Sequence, residues 1–117
     1  MGQPIVQLEI MGNNAPRLQK FYADLFNWQV SEPGGPEFGF YALVAGDSSG
    51  LSVGIGQEPG GTTRTTAYVQ VQDLQATLDR AVVMGGRVVV PPTDIPGVVT
   101  FAHFTDPEGN LIGVTKG

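Results

Sequence analysis

Two ionisable side chains on predicted strands could carry out acid–base chemistry. Glu9 lies in the alternating stretch "IVQLEIM", and His103, the single histidine of the chain, lies in "VVTFAHF". An imidazole exchanges protons near neutral pH, and a carboxylate can orient it or act as the base. A carboxylate in a sheet-lined cavity is also costly unless it is paired or solvated. Glu9 and His103 are therefore candidate catalytic residues, and Glu9 could also bind a cation or hydroxyl of a ligand.

Further acidic residues occur in "FTDPEGN", residues 104–110, directly before the last apolar segment. Asp106 can begin a turn, Pro107 suits its second position, and Gly109 tolerates a left-handed backbone. This stretch is therefore predicted to be a hairpin turn rather than part of an active site. Asp106 and Glu108 are expected to face solvent.

The elements that position Glu9 form a β-α-β-β-β pattern in the first half of the chain. The alternation predicts that one face of the first strand packs on the core, through Val6, Leu8 and Ile10. The other face is predicted to be more exposed to solvent and carries Gln7, Glu9 and Met11. Asn14 caps a predicted helix whose apolar stripe consists of Leu18, Phe21, Tyr22, Leu25 and Phe26. Strands follow around "WQVSE", "FGFYALVA" and "LSVGIG", with predicted turns at "PGGP" and "GDSSG".

The second half repeats this order after a joint at residues 58–65. "TAYVQV" alternates, with Thr66, Tyr68 and Gln70 on one side. Asp73 caps a second predicted helix, which "MGG" ends, and the strands "RVVVPP", "VVTFAHF" and "NLIGVT" follow. The two helices overlay at an offset of 60 residues, pairing Leu18 with Leu78, Phe21 with Ala81 and Tyr22 with Val82. This offset indicates an internal repeat.

The repeat predicts one α+β domain over residues 1–117, made of two βαβββ modules at about 1–57 and 66–117. The polar sides of their first strands could curve toward each other and form a cup, and concave surfaces with a few polar groups bind small ligands. The candidate ligand-binding residues are Gln7, Glu9, Met11, Tyr68, Gln70, Phe101 and His103. The aromatic residues Trp28, Phe38, Phe40 and Tyr41 could line such a pocket or could simply pack in the core.

The composition is typical of a soluble globular protein, with 41% hydrophobic residues, 15% charged residues and a net charge of -5. Six scattered Lys and Arg residues form no basic patch, so nucleic acid is not an expected partner. The absence of cysteine excludes disulfides and thiolate metal sites. No apolar run is long enough to span a membrane and the first residues do not resemble a signal peptide, so we expect a cytoplasmic location and no membrane partner.

Three segments together resemble a known family over nearly the whole chain. They are "FYADLFNW", "AYVQVQDL…RAVVMGGRV" and "PPTDIPGVVTFAHFTDPEGNLIGV". Their order and spacing resemble the vicinal oxygen chelate superfamily, which comprises glyoxalases, bleomycin resistance proteins and dioxygenases. This resemblance implies paired βαβββ modules that form a curved mixed sheet around a cup. It also implies a homodimer, since family modules pair within or across chains.

Family enzymes hold a divalent metal in the cup with His, Glu or Gln side chains from four strands. The resemblance places these ligand positions at Gln7, at Val53 or Gly54, at Thr66 and at Gly113. Gln7 could coordinate a metal through its amide oxygen, but Thr66 is a poor ligand and Gly113 has no side chain. We therefore expect no metal cofactor, with a divalent metal near Gln7 as the alternative.

These observations favour a metal-free binding protein that sequesters an aromatic or amphiphilic small molecule such as an antibiotic, as the bleomycin-resistance branch of the family does. Two alternatives stay open. One is an enzyme, either a metal-independent acid–base catalyst that uses Glu9 and His103, or a glyoxalase-like lyase or a dioxygenase with an atypical site. The other is a regulatory protein with a vestigial cup.

Overall fold

The computed structural model describes residues 2–45 and 51–117, so the turn predicted at "GDSSG" lies outside the described residues. The described part is an α+β protein with seven strands and two α-helices. In chain order these are β1 (Ile5–Gly12), α1 (Ala15–Phe26), β2 (Ala42–Val44), β3 (Ser52–Gln57), β4 (Arg64–Val71), α2 (Leu74–Val83), β5 (Arg87–Ile95), β6 (Val99–Thr105) and β7 (Leu111–Lys116). Neither α1 nor α2 has the length and apolar character that crossing a membrane requires.

The chain divides into two compact units. The first unit is Gln7–Thr65, and the second joins the start of the chain, up to Val6, to Thr66–Gly117. In the first unit β3 lies between β2 and β1, antiparallel to β2 and parallel to β1. In the second unit the strand order is β4-β7-β6-β5, with β4 parallel to β7 and the remaining neighbours antiparallel.

Helix α1 in the first unit begins at Asn14, whose side chain accepts a hydrogen bond from the Arg17 backbone amide. The helix approaches the sheet through Ala15 and Gln19, both of which are buried. The amide group of Gln19 donates to the backbone carbonyls of Phe40 and Ile55, each at 2.8 Å. A buried polar side chain that is fully hydrogen-bonded fixes the position of the helix on the sheet.

The predicted apolar stripe of α1 was wrong in its outer part. Phe21, Leu25 and Phe26 are exposed by 56%, 60% and 53%. Contacts through Ala15 and Gln19 turn this outer part of the stripe away from the sheet. Its aromatic rings pack on one another instead, since Tyr22 stacks on Phe26 with ring centroids 6.1 Å apart.

Two strands predicted in the first half are shorter than expected. "WQVSE" contributes only an isolated bridge between Val30 and Val44, and "FGFYALVA" contributes only β2. For "FGFYALVA" the physical reason is the turn before β2, where Gly39 and Phe40 have left-handed backbones with φ of 63° and 52°. A strand cannot continue through two such residues.

The second unit contains a continuous apolar core between α2 and one face of its strands. Helix α2 begins at Asp73, whose carboxylate accepts from the Ala76 backbone amide at 3.0 Å. The fully packed residues of this core are Val71, Leu74, Leu78, Ala102 and Val114. The opposite face of β4, β7 and β6 is therefore free of α2 and carries the polar side chains described below.

The predicted turn at "DPEGN" is confirmed. The Gly109 amide donates to the Asp106 carbonyl at 3.0 Å, and Gly109 has a φ of 94°. The Asp106 carboxylate accepts from the backbone amides of Glu108 and Asn110 and from the Asn110 side chain, each at 2.9 Å. Glu108 is exposed as expected, whereas Asp106 is partly buried. These hydrogen bonds, that from the Asn110 side chain above all, lower the pKa of Asp106 below its ordinary value of 3.8.

Replacing Asp106 by asparagine is expected to lower the stability at neutral pH, because one amide oxygen cannot accept all three bonds. A lowered pKa contributes stability that is present above the unfolded-state value and is lost as the pH falls through the folded-state value. The difference between wild type and Asp106→Asn should therefore be constant above about pH 5 and shrink below pH 3.8. Urea unfolding at a series of pH values measures it. A control, Glu108→Gln, should show no such dependence, and equal profiles for both variants would contradict the assignment.

Candidate functional site

Three strands of the second unit bring a row of predicted site residues together. Tyr68 on β4 is in register with Gly113 on β7, which is in register with His103 on β6. Thr115 on β7 is likewise in register with both Gln70 and Phe101, one row further along. Residues two apart on a strand share a face, so both rows lie on the side of the strands opposite α2.

The ring of Tyr68 lies directly over Gly113. A Cβ atom at position 113 would overlap the ring of Tyr68, so this arrangement requires glycine. The hydroxyl oxygen of Tyr68 is 2.6 Å from His103 Nε2, which is a hydrogen bond. Tyr68 and His103 are only 5% and 7% exposed. The phenol and the imidazole therefore form a pair that is largely shielded from water.

Phe101 completes an aromatic group with this pair. Its ring centroid is 5.4 Å from that of His103, and the ring centroid of Tyr68 is 5.5 Å from that of His103. Three of the predicted ligand-binding residues thus lie together in the second unit. Gln70 occupies the adjacent row, where its side chain packs close to Gly117. A role of these four residues in binding stays a prediction.

The first unit contains a second tyrosine that covers glycines. Tyr41 lies over Gly54 and Gly56 of β3, where a Cβ atom at either position would collide with it. The Gln7 side-chain amide donates to the Tyr41 hydroxyl at 2.6 Å. Tyr41 was predicted either to line a pocket or to pack in the core, and it occupies the surface of β3. The side chain of Gln7 is therefore held by a hydrogen bond to the phenol of Tyr41.

Glu9 is held by ion pairs within the first unit. Its carboxylate lies 2.7 Å from an Arg64 guanidinium nitrogen, and Arg64 also binds Glu58 at 2.5 Å. The prediction that this face of β1 is more exposed to solvent was wrong, since Glu9 and Met11 are only 9% and 8% exposed. Arg64 makes the burial of Glu9 possible because a paired carboxylate costs much less to bury than a lone one.

Glu9 and His103 lie in different units, and each has a partner within its own unit. Glu9 pairs with Arg64, and His103 pairs with Tyr68. An acid–base pair formed by Glu9 and His103 stays a prediction. The sequence reasoning missed Arg64, for which the only available signal was a basic residue in an otherwise Gly- and Thr-rich joint.

The residues at the predicted metal-ligand positions do not fit a family metal. Among the described residues no three His, Asp or Glu side chains are grouped so that they could hold an ion. Gln7 engages Tyr41, and Tyr41 and Tyr68 occupy the space that side chains at Gly54 and Gly113 would need. Thr66, although buried, is chemically a poor ligand.

Comparison with known families agrees with this fold. The model of the Glyoxalase/Bleomycin resistance protein/Dioxygenase superfamily matches residues 5–114. The chain belongs to this superfamily, and the resemblance drawn from the sequence is confirmed.

Curated relatives share part of their length with the chain. A Mycobacterium bovis protein named "Putative glyoxylase CFP32" is 29% identical in an alignment of length 103, and the match covers 82% of this chain and 39% of that protein. The Streptomyces peucetius "Anthracycline biosynthesis protein DnrV" is 27% identical in an alignment of length 111, and the match covers 82% of this chain and 40% of that protein. The chain thus spans about two fifths of the length of these relatives.

Solved structures support the fold at low sequence identity. Methylmalonyl-CoA epimerase from Mycobacterium tuberculosis has a TM-score of 0.69 at 15% identity, covering 96% of this chain and 86% of that one. The hypothetical protein BH1468 from Bacillus halodurans has a TM-score of 0.72 at 9% identity, covering 100% and 96%. At such identities the similarity establishes the fold alone.

Proposed function

We propose that the chain is a metal-free small-molecule binding protein of this superfamily. The observation that carries the proposal is the Tyr68 ring over Gly113, where the family resemblance places a metal ligand. Tyr41 makes the equivalent contact with Gly54 in the first unit. In both units a tyrosine whose hydroxyl is hydrogen-bonded occupies the space that the Cβ atom of a metal-binding side chain would need. Polar recognition by hydroxyl, imidazole and amide groups replaces coordination.

The ligand that suits these groups is aromatic or amphiphilic. Tyr68, His103 and Phe101 offer ring surfaces next to hydrogen-bonding atoms, which favours planar molecules that carry oxygen or nitrogen substituents. The name of the Streptomyces peucetius relative refers to anthracycline biosynthesis, and this supports an antibiotic-like ligand. A cytoplasmic homodimer is the assembly and location that we propose with this function.

One observation favours an enzyme as the second candidate. The 2.6 Å hydrogen bond between Tyr68 and His103 joins two groups that can transfer protons. An acid–base reaction without metal is therefore the enzymatic alternative, with Glu9 as a further participant. A glyoxalase-like lyase or a dioxygenase would need a metal, and the residues at the family ligand positions other than Gln7 are poor ligands or have no ligating side chain: Val53 or Gly54, Thr66 and Gly113.

A thermal-shift panel of anthracyclines, other aromatic antibiotics, quinones and aldehydes tests the proposed function. A compound present at about 100 times its dissociation constant stabilises the fold by about 2.7 kcal/mol, which raises the melting temperature by several degrees. We expect at least one planar aromatic compound to do so, with the shift reduced in His103→Ala. The control Tyr22→Phe, on α1, should keep the full shift.

The outcome also separates the alternatives. A ligand that is recovered unchanged after prolonged incubation supports sequestration, whereas chemical conversion that stops in both Glu9→Gln and His103→Ala would favour the enzyme. A panel in which no compound shifts the melting temperature would contradict small-molecule binding and favour a regulatory protein.

A further inference from the structure

The outer face of α1 presents apolar side chains that the sheet of the first unit does not bury. Phe21, Leu25 and Phe26 are exposed by 56%, 60% and 53%. We propose that two copies of the chain associate through this face, with their α1 helices packed antiparallel about a two-fold axis. The inference rests on the homodimer proposed above and adds the surface and the arrangement through which it forms.

The rings on the outer side of α1 form one continuous surface. Tyr22 and Phe26, four residues apart on the helix, stack with ring centroids 6.1 Å apart, and Trp28 stacks on Tyr22 at 5.9 Å. Phe21 meets the Tyr22 ring edge-on at 5.1 Å. These four rings and Leu25 are called the aromatic face below. Aromatic residues are enriched at protein–protein interfaces and among the residues that carry most of the binding energy.

The size of the aromatic face suits a contact between two copies. At these exposures, and at about 200 Å² per side chain, Phe21, Leu25 and Phe26 alone present roughly 300 Å² of apolar surface. A stable interface buries about 800 Å² per copy, of which about 65% is apolar in homodimers. The three side chains therefore supply more than half of the apolar area that a stable dimer needs. The partly exposed rings of Tyr22 and Trp28 add to it.

The charged residues beside the aromatic face are complementary to those of a second copy. Arg17 and Lys20 lie in the first half of α1 and Asp24 in its last turn, the reverse of the order that stabilises a helix dipole. Asp24 is a surface neighbour of Phe21, three residues away, and pairs with Lys20 at 2.6 Å. When two α1 helices cross antiparallel at Tyr22, Lys20 of each copy lies opposite Asp24 of the other. Two ion pairs then border the apolar contact, as in a two-fold interface.

Sedimentation equilibrium measures the association of the purified chain directly. Interfaces of standard size have dissociation constants in the micromolar range or tighter, so we expect a dimer at about 10 μM chain. Phe21→Arg should raise the dissociation constant about 100-fold or more, because it removes a ring and introduces a charge twice in each dimer. Trp28, the single tryptophan, gives a second readout. Its emission should shift to shorter wavelength as the wild type associates and should be independent of concentration in Phe21→Arg.

Exchanging charges between two variants tests the antiparallel arrangement. Lys20→Glu places acids opposite each other in its own dimer, and Asp24→Lys places lysines opposite each other. Each variant alone should associate about 10-fold more weakly than the wild type. An equimolar mixture should associate about as tightly as the wild type, since in the mixed dimer every acid lies opposite a lysine. Both variants lose the ion pair within the helix, so the recovery cannot come from that pair.

Val83→Arg is the matched control for Phe21→Arg. Val83 lies on α2 and is 85% exposed, so the same charge is introduced on the surface of the other helix. The dissociation constant should be unchanged in this variant. Because Phe21 and Val83 are both exposed, both variants are expected to fold, and their melting curves establish this.

The failures of the separate proposals are distinguishable. A dimer that Phe21→Arg leaves intact, or that Val83→Arg disrupts instead, would overturn the contact through α1 and leave the homodimer standing. No recovery in the mixture of Lys20→Glu and Asp24→Lys would overturn the antiparallel arrangement. A chain that is monomeric at about 100 μM would overturn both the contact and the homodimer. Small-molecule binding is tested separately by the thermal-shift panel and survives each of these results.

Discussion

Replacing Gly113 by alanine is expected to lower the free energy of unfolding by about 3 kcal/mol. The new Cβ atom would overlap the Tyr68 ring, which must move and lose its hydrogen bond to His103. Overpacking of a buried contact costs about 1–3 kcal/mol and a lost hydrogen bond about 1 kcal/mol more. Urea unfolding of wild type and variant measures the difference.

A double-mutant cycle assigns the cost to this contact. In a Tyr68→Ala background the three nearest neighbours of the new methyl group, all of them ring atoms of Tyr68, are gone. Gly113→Ala should then cost less than about 1 kcal/mol, a coupling of about 2 kcal/mol or more. Gly34→Ala is the matched control, since its Cβ would meet only ordinary contacts at 3.6 Å. Equal costs of Gly113→Ala in both backgrounds would contradict the account of Tyr68.

Replacing Arg64 by methionine is expected to cost about 2–3 kcal/mol. Glu9 and Glu58 both lose the guanidinium, and the Glu9 side chain is only 12% exposed. Removing one partner of a buried ion pair costs about 3–5 kcal/mol, and the partial exposure here places the expected value at or below the lower end. Chemical unfolding near neutral pH measures it.

Neutralising Glu9 should recover part of this loss. Arg64→Met combined with Glu9→Gln is expected to be more stable than Arg64→Met alone, because the buried charge has been removed. Lys20→Met serves as the control, because it breaks an ion pair with Asp24 in which the side chains are 77% and 66% exposed. No measurable change in the free energy of unfolding is expected for this variant. A double variant no more stable than Arg64→Met would show that Glu9 does not depend on Arg64.

The sequence predicted several local features correctly and most of the order of elements, although the strand expected at "WQVSE" is only an isolated bridge. Period-2 alternation located β1 and β4, and the caps at Asn14 and Asp73 located both helix starts. These features depend on neighbours in the chain, which one sequence contains in full. The turn at Asp106 was predictable for the same reason, since all its hydrogen bonds lie within five residues.

Features that depend on strand register were not predictable. Gly113 looked like the loss of a metal ligand, but its lack of a side chain also admits the Tyr68 ring from a strand 45 residues away in sequence. The burial of Glu9 likewise depends on Arg64, 55 residues further along. The alternation of β1 specified two faces without specifying what each face meets. Hydropathy alone therefore predicted incorrectly that the face of β1 with Glu9 and Met11 is the more solvent-exposed one.

The measurement that tests the central claim most directly is elemental analysis of the protein purified without chelators. If the Tyr68 ring over Gly113 replaces coordination, the protein should carry far less than one transition-metal ion per chain, and added Zn²⁺, Ni²⁺ or Mn²⁺ should leave its melting temperature unchanged. A single tightly bound transition-metal ion per chain would contradict the account.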